Sequence, residues 1–195
     1  MQELEALAKE LRSSAAAAVA KLRRAKGCLS RSLGGKLVIQ RGVEVKIKAH
    51  KEDLRVYVCC DLKKKVFLYR KMGLRRAPKA WDGSLEQAVQ CTHYGHITPS
   101  ESKRDWEHYD TVFPRICEAV ACIMKLITSH LDDCVVLLGM DFICDSDLQP
   151  FLLEINQTPR LCYEDPRVQA WTEAMAMDFM RLIIFQEAST SWVAV

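Results

Sequence analysis

The residues best placed by type and spacing to do chemistry lie between Gly139 and Asn156. Asp141 stands inside the apolar run Val135–Cys144, and Glu154 inside the apolar run Phe151–Asn156. A charge within a buried run costs several kcal/mol unless it is paired or binds a metal. The turn Asp145-Ser146-Asp147 separates the two runs, which therefore read as a buried hairpin. Side chains alternate along a strand, so Glu154 and Asn156 project to one side, opposite the third group, Asp141. Two carboxylates and an amide oxygen are hard ligands of the kind Mg²⁺ takes. The competing reading gives each acid a Lys or Arg partner and a structural role. It is the better account of an isolated acid, and the weaker one for a same-face pair opposite a third.

A second group is Lys51-Glu52-Asp53-Leu54-Arg55. Alternation puts Lys51, Asp53 and Arg55 on one face, two cations and an acid. A Lys and an Arg are what a developing phosphoryl charge requires. Taken alone, the segment reads equally as a charged strand edge.

These groups need elements to hold them. Gln2 to about Lys26 reads as a helix, with Leu4, Leu7, Leu11, Val19 and Leu22 at helical spacing and an alanine run within it. A basic Gly/Ser loop follows to Lys36, then a short strand, Lys36–Arg41. Asp53–Asp61 and Val66–Arg70 are rich in β-formers and read as a hairpin. The stretch from Arg75 to Thr98, broken by Gly and Pro, reads as irregular apart from a helix over Ser84–Val89. A longer helix is expected from Trp106 to His130, and a last one from Pro166 to Phe185 behind Glu164 and Asp165. The tail beyond Ala188 is expected to fray. Hairpins with helices on one side make an α+β layer architecture.

Composition narrows the class. The chain has 195 residues, 49% of them hydrophobic and 27% charged, enough to bury a core. No apolar stretch reaches the length of a spanning helix and no signal peptide opens the chain, so no membrane partner is expected and the simplest setting is cytoplasmic. Nine cysteines occur without C-x-x-C spacing, which speaks against zinc and a disulfide framework; most are expected to be reduced and buried. Lys21–Lys51 carries ten Lys or Arg and one acid, Glu44. That stretch suits an acidic partner or a solvated face. It lacks interleaved aromatics, so nucleic acid is not the expected partner.

The motif Gly139-Met140-Asp141-Phe142, followed by Leu148-Gln149-Pro150-Phe151-Leu152-Leu153-Glu154-Ile155-Asn156-Gln157-Thr158-Pro159, resembles the metal-binding hairpin of ATP-grasp enzymes. More narrowly, it resembles the tubulin tyrosine ligase-like family. Val38-Ile39-Gln40 resembles that family's adenine-contacting strand, which would make Gln40 a nucleotide contact. Lys51-x-Asp53-x-Arg55 resembles a strand start near the phosphates and acceptor. The Arg70 that ends the next strand resembles an arginine pointing into the site, and Thr92-His93-Tyr94 a Thr-Asn-Tyr segment near the substrate, with His93 replacing the Asn.

The resemblance implies an ATP-grasp-like α+β lobe over about residues 36–187, preceded by an unassigned segment 1–35 and followed by a tail, 188–195. It implies ATP and Mg²⁺ as cofactors. Asp141, Glu154 and Asn156 would be the metal ligands, Arg55 and Arg70 the charge-stabilising residues, and Gln40, Lys51, Asp53 and Thr92 the nucleotide and substrate contacts. The implied reaction joins an amino acid co-substrate to a protein carboxylate, on tubulin or another acidic tail, at microtubules or cilia. The family's phosphate-binding segment before the Val-Ile-Gln strand has no clear counterpart, so the first half of the catalytic domain is expected to be missing. The alternative is a catalytically incomplete module that docks on acidic tubulin tails.

Overall fold

The computed structural model describes residues 50–82, 84, 86–92, 96–131 and 134–195. The chain divides into two compact units, Met1–Gly42 and Val43–Val195. The first unit, with the expected N-terminal helix, basic loop and Lys36–Arg41 strand, lies outside the described residues.

The second unit is α+β. Its strands are β1 (Glu52–Cys60), β2 (Val66–Tyr69), β3 (Met72–Arg76), β4 (His96–Ser100), β5 (Val136–Cys144), β6 (Pro150–Asn156) and β7 (Trp192–Ala194). Its helices are the single turn α1 (Gln87–Gln90), then α2 (Tyr109–Ile127) and α3 (Pro166–Ile184). All pairings are antiparallel. β1 runs through the middle with β5 on one side, and β6 lies beyond β5. On its other side β1 pairs with β3 over Glu52–Arg55 and with β2 over Val58–Cys60. β2 and β3 thus form one row interrupted at Arg70 and Lys71. Outside that row lie β7, on β2, and β4, on β3.

Alternation along β1 builds two different faces. Leu54, Val56, Val58 and Cys60 face α2, with Leu68, Met72, Leu74, Leu138, Met140 and Phe142 from the neighbouring strands. The helix answers with Val112, Ile116, Val120 and Met124, spaced four apart along one stripe. Tyr57 and Cys59 point the other way, where α3 covers them with Val168, Trp171 and Met175. Asp165 caps α3, its carboxylate accepting from the Arg167 amide at 2.9 Å, and Pro166 occupies the first turn.

Several expectations change. β3 and β4 occupy ground read as irregular or left unassigned. Gly73 and Pro99 masked them, yet these two residues face each other across the pair. Gly73 is needed because Trp171 of α3 packs against it: an added Cβ would lie 2.7 Å from that ring. β4, which holds Pro99, is the outer strand of its row, where a missing amide donor is tolerated. The helix read over Ser84–Val89 is only the turn Gln87–Gln90. The tail does not fray: β7 pairs with β2, and Trp192 is buried against Tyr69 and Phe179, with ring centroids 5.1 and 6.2 Å away. The hairpin β5–β6 forms in the expected place, but only β5 is buried. Phe151, Leu152 and Leu153 of β6 are 44%, 37% and 48% exposed, because β6 has a single neighbouring strand among the described residues. Of the eight cysteines described, only Cys59 and Cys60 are buried, so burial is not their common state. No helix among the described residues is long and apolar enough to cross a membrane.

Candidate functional site

At the α3 end of the second face the alternation turns polar. β1 presents Asp53 and Arg55 where it later presents Tyr57 and Cys59. β3 presents Gly73 and Arg75, and β5 presents Gly139 and Asp141. Cross-strand register then brings the groups together: Asp53 faces Arg75, and Arg55 faces Asp141. All four are at most 7% exposed.

They form one ion-pair network. Arg55 grips Asp141 with both edges of its fork, through Nε to Oδ1 and Nη2 to Oδ2, the latter at 2.9 Å. Arg75 grips Asp53 the same way, at 2.5 and 3.0 Å, and also reaches Asp141 Oδ2 at 2.8 Å. Thr92 donates its hydroxyl to Asp53 Oδ2. Bidentate charged pairs of this kind are the strong ones. Burial alone would push the Asp141 carboxyl up; the Arg55 hydrogen bonds and the Arg75 charge outweigh it and hold the group below its usual range. Burial pulls against the charge on both arginines too, and their carboxylates overcome it.

β6 adds the remaining members. Glu154 stands directly opposite Asp141, and Asn156 opposite Gly139. A register shift between Asp141 and Phe142 leaves Leu153 as the extra residue of a bulge, which aims Glu154 at its partner. Asn156 Nδ2 donates to Glu154 Oε1 at 2.9 Å. Like charges facing each other across strands are destabilising. Asp141 is neutralised by arginines, whereas exposed Glu154 has no ion-pair partner among the described residues. The unbalanced charge therefore sits at the cleft, beside an amide.

A carboxylate offers about four acceptor positions. Asp141 uses three and Glu154 one, counting the bonds above. The donor set thus fits a hard divalent cation. Glu154 and Asn156 could serve as ligands from the cleft, whereas Asp141, buried and outside the cleft lining, is engaged by Arg55 and Arg75 behind them. Among the described residues no group of three or more His, Cys, Asp or Glu is placed to hold a metal ion, here or elsewhere; the candidate set has an amide as its third member.

The cleft, about 530 Å³, is lined by Arg55, Arg75, Glu154, Asn156 and Thr158, together with His96, Ile97, Arg160, Tyr163, Glu164, Asp165 and Val168. Part of the lining comes from the segment between β6 and α3, which is tied to the rest of the unit. The Tyr57 hydroxyl donates to the Arg160 carbonyl at 2.9 Å, and Thr172 Oγ1 to the Leu161 carbonyl at 2.8 Å. Burial, with nearby Tyr163, drives the Tyr57 hydroxyl's pKa far up, so it stays a donor. Pro159 packs on Gly139, where a Cβ would lie 2.8 Å from its ring.

The structure therefore gathers Arg55, Asp53, Thr92, Asp141, Glu154 and Asn156, with Asp53 and Thr92 behind Arg75 rather than in the cleft. Lys51 stays at the margin, its ammonium 3.4 Å from Gln90 Oε1. Gln40, His93 and Tyr94 lie outside the described residues. Arg70 does not join. Its guanidinium donates to the Thr190 carbonyl at 3.0 Å and lies 5.9 Å over the ring of Phe113, a residue of the α2 side. The break between β2 and β3 falls at this residue and turns it away. The second guanidinium of the site is Arg75, which the sequence reading passed over. Its signal was the spacing Gly73-x-Arg75, which puts both on one face once the segment is recognised as a strand.

The model of the tubulin-tyrosine ligase family matches residues 93–190, half of the 195-residue chain. The match takes in β4, α2, the β5–β6 hairpin with Asp141, Glu154 and Asn156, the segment that follows it and α3. No curated protein matches the chain significantly. With an α+β lobe of ATP-grasp type and a family match over half its length, the chain belongs to the tubulin-tyrosine ligase family.

Proposed function

We propose that this lobe is the metal and acceptor side of an ATP- and Mg²⁺-dependent ligase that joins an amino acid to a protein carboxylate, with an acidic tubulin tail as acceptor. The observation that carries this reading is that Glu154 and Asn156 share one cleft with Arg55 and Arg75, while Asp141, buried behind the cleft, holds both arginines. Glu154 and Asn156, with Asp141 behind them, would hold Mg²⁺, which when bound screens the phosphates of the nucleotide. Arg55 and Arg75 line the cleft with guanidinium groups fixed by buried carboxylates, so they are oriented before charge develops on a transferring phosphoryl group. The acceptor carboxylate is activated as an acyl phosphate, and the amine of the incoming amino acid displaces phosphate. By this reading the protein acts in the cytoplasm, at microtubules or cilia.

A second reading has a specific observation in its favour. Both deep arginines are already neutralised by Asp53 and Asp141, which leaves little net positive charge for a triphosphate. That suits a docking module which has lost catalysis. Incubation with tubulin, Mg²⁺-ATP and labelled tyrosine, glutamate or glycine separates the two. Transfer of one amino acid that Glu154→Gln abolishes supports the ligase. Tubulin binding without transfer of any of the three supports the docking module.

A further inference from the structure

Arg55 and Arg75 are spoken for by carboxylates, but the cleft has a third guanidinium. Arg160 lines the same cleft as Glu154, and no carboxylate pairs with it among the described residues. Its position is nonetheless fixed. Tyr57 holds its carbonyl at 2.9 Å, its Nε donates to the Cys162 carbonyl at 2.7 Å, and its guanidinium lies 5.0 Å over the Tyr163 ring. Among the described residues this leaves its two Nη groups without a partner, and that pair can take a carboxylate end-on. Four residues on, Glu164 lines the same cleft, and it too has no ion-pair partner among the described residues. Its neighbour Asp165 is committed, capping α3 and pairing with Arg167 at 3.1 Å.

One cation and one acid, both lining the same cleft and both without an ion-pair partner among the described residues, match a zwitterion. A polyanion would satisfy Arg160 but meet Glu164 unfavourably, and a nucleotide phosphate would do the same. We propose that Arg160 and Glu164 form the binding site of the incoming free amino acid, Arg160 taking its α-carboxylate and Glu164 its α-ammonium. This rests on the ligase reading for its biological meaning, but the binding can be measured by itself. Ile97 and Val168 supply apolar lining for the remainder of the ligand.

The test is saturation-transfer NMR of free glycine, glutamate and tyrosine, and of their N-acetyl forms, on the full chain with and without Mg²⁺-ATP. Mg²⁺-ATP binding is measured in parallel. At least one free amino acid should bind. Arg160→Gln and Glu164→Gln should each weaken it by about tenfold or more, as expected for a lost charged hydrogen bond. Arg160→Lys should recover part of the loss. The N-acetyl form should bind as weakly to the unaltered chain as the free form does to Glu164→Gln. Nucleotide affinity should stay within about twofold in all three variants, which also shows that they fold. Overturning results would be no amino acid binding, binding indifferent to Arg160→Gln, or an equal loss of nucleotide affinity, which would assign Arg160 to phosphate. A chain that binds amino acid but never Mg²⁺-ATP would sink the ligase reading and leave this site standing.

Discussion

The two faces of the central sheet are built from the same strands and obey different rules. On the α2 side, Val56, Val58, Met140 and Phe142 are sealed in apolar contact. On the other side, the same strands carry Asp53, Arg55 and Asp141, equally buried but charged. An apolar face stabilises in rough proportion to the area it removes from water. A buried ion-pair network gains little net stability, since desolvation offsets much of the attraction, yet losing one member is severe. The difference teaches that the polar face is maintained for what it positions, not for what it adds to stability.

Neighbouring residues on β5 put this to the test. Asp141→Asn should cost about 3–5 kcal/mol by urea denaturation, because it leaves buried arginines without their carboxylate; the same variant should lose nucleotide binding. Met140→Ala, one residue away but facing α2, should cost about 2–5 kcal/mol and leave nucleotide affinity unchanged under folding conditions. If Met140→Ala also removed binding, the faces would not be separable in the way described.

Acid should sharpen the contrast. The Asp141 carboxyl is held below its ordinary range in the folded state. Its contribution is therefore complete above the unfolded value of about 3.9 and is lost as pH falls through the lower folded value. Stability measured down this range should fall more steeply in the unaltered chain than in Asp141→Asn.

A smaller effect separates two arginines. Arg75→Ala should destabilise by about as much as Asp141→Asn, since it strands Asp53. Arg70→Ala, on the surface of the other side, should fall within about 0.5 kcal/mol of the unaltered chain and keep nucleotide binding. A functional loss at Arg70 would restore it to the site and overturn the placement given above.

How far the sequence could be read follows from the same physics. The β1–β2 and β5–β6 hairpins, α2 and α3 are legible because each has an apolar pattern at its own period and a marked turn or cap. β3 and β4 were hidden by Gly73 and Pro99, which look like breakers until Trp171 and an edge position explain them. β7 was hidden by its place at the chain's end, where burial of Trp192 outweighs fraying. In the site, Asp141, Glu154 and Asn156 could be found from alternation in an apolar hairpin. Arg75 could not be found before β3 was. Nor could sequence show that Arg55 would be held by Asp141, because residues 86 positions apart meet only through strand register.

The most direct test of the central claim is calorimetry of ATP binding with and without Mg²⁺, on the unaltered chain and on Glu154→Gln. Glu154 is exposed, so the substitution should leave stability within about 0.5 kcal/mol. The account predicts binding that requires Mg²⁺ and is lost in Glu154→Gln despite an unchanged fold. Binding of equal strength without Mg²⁺, or undiminished in Glu154→Gln, would contradict it.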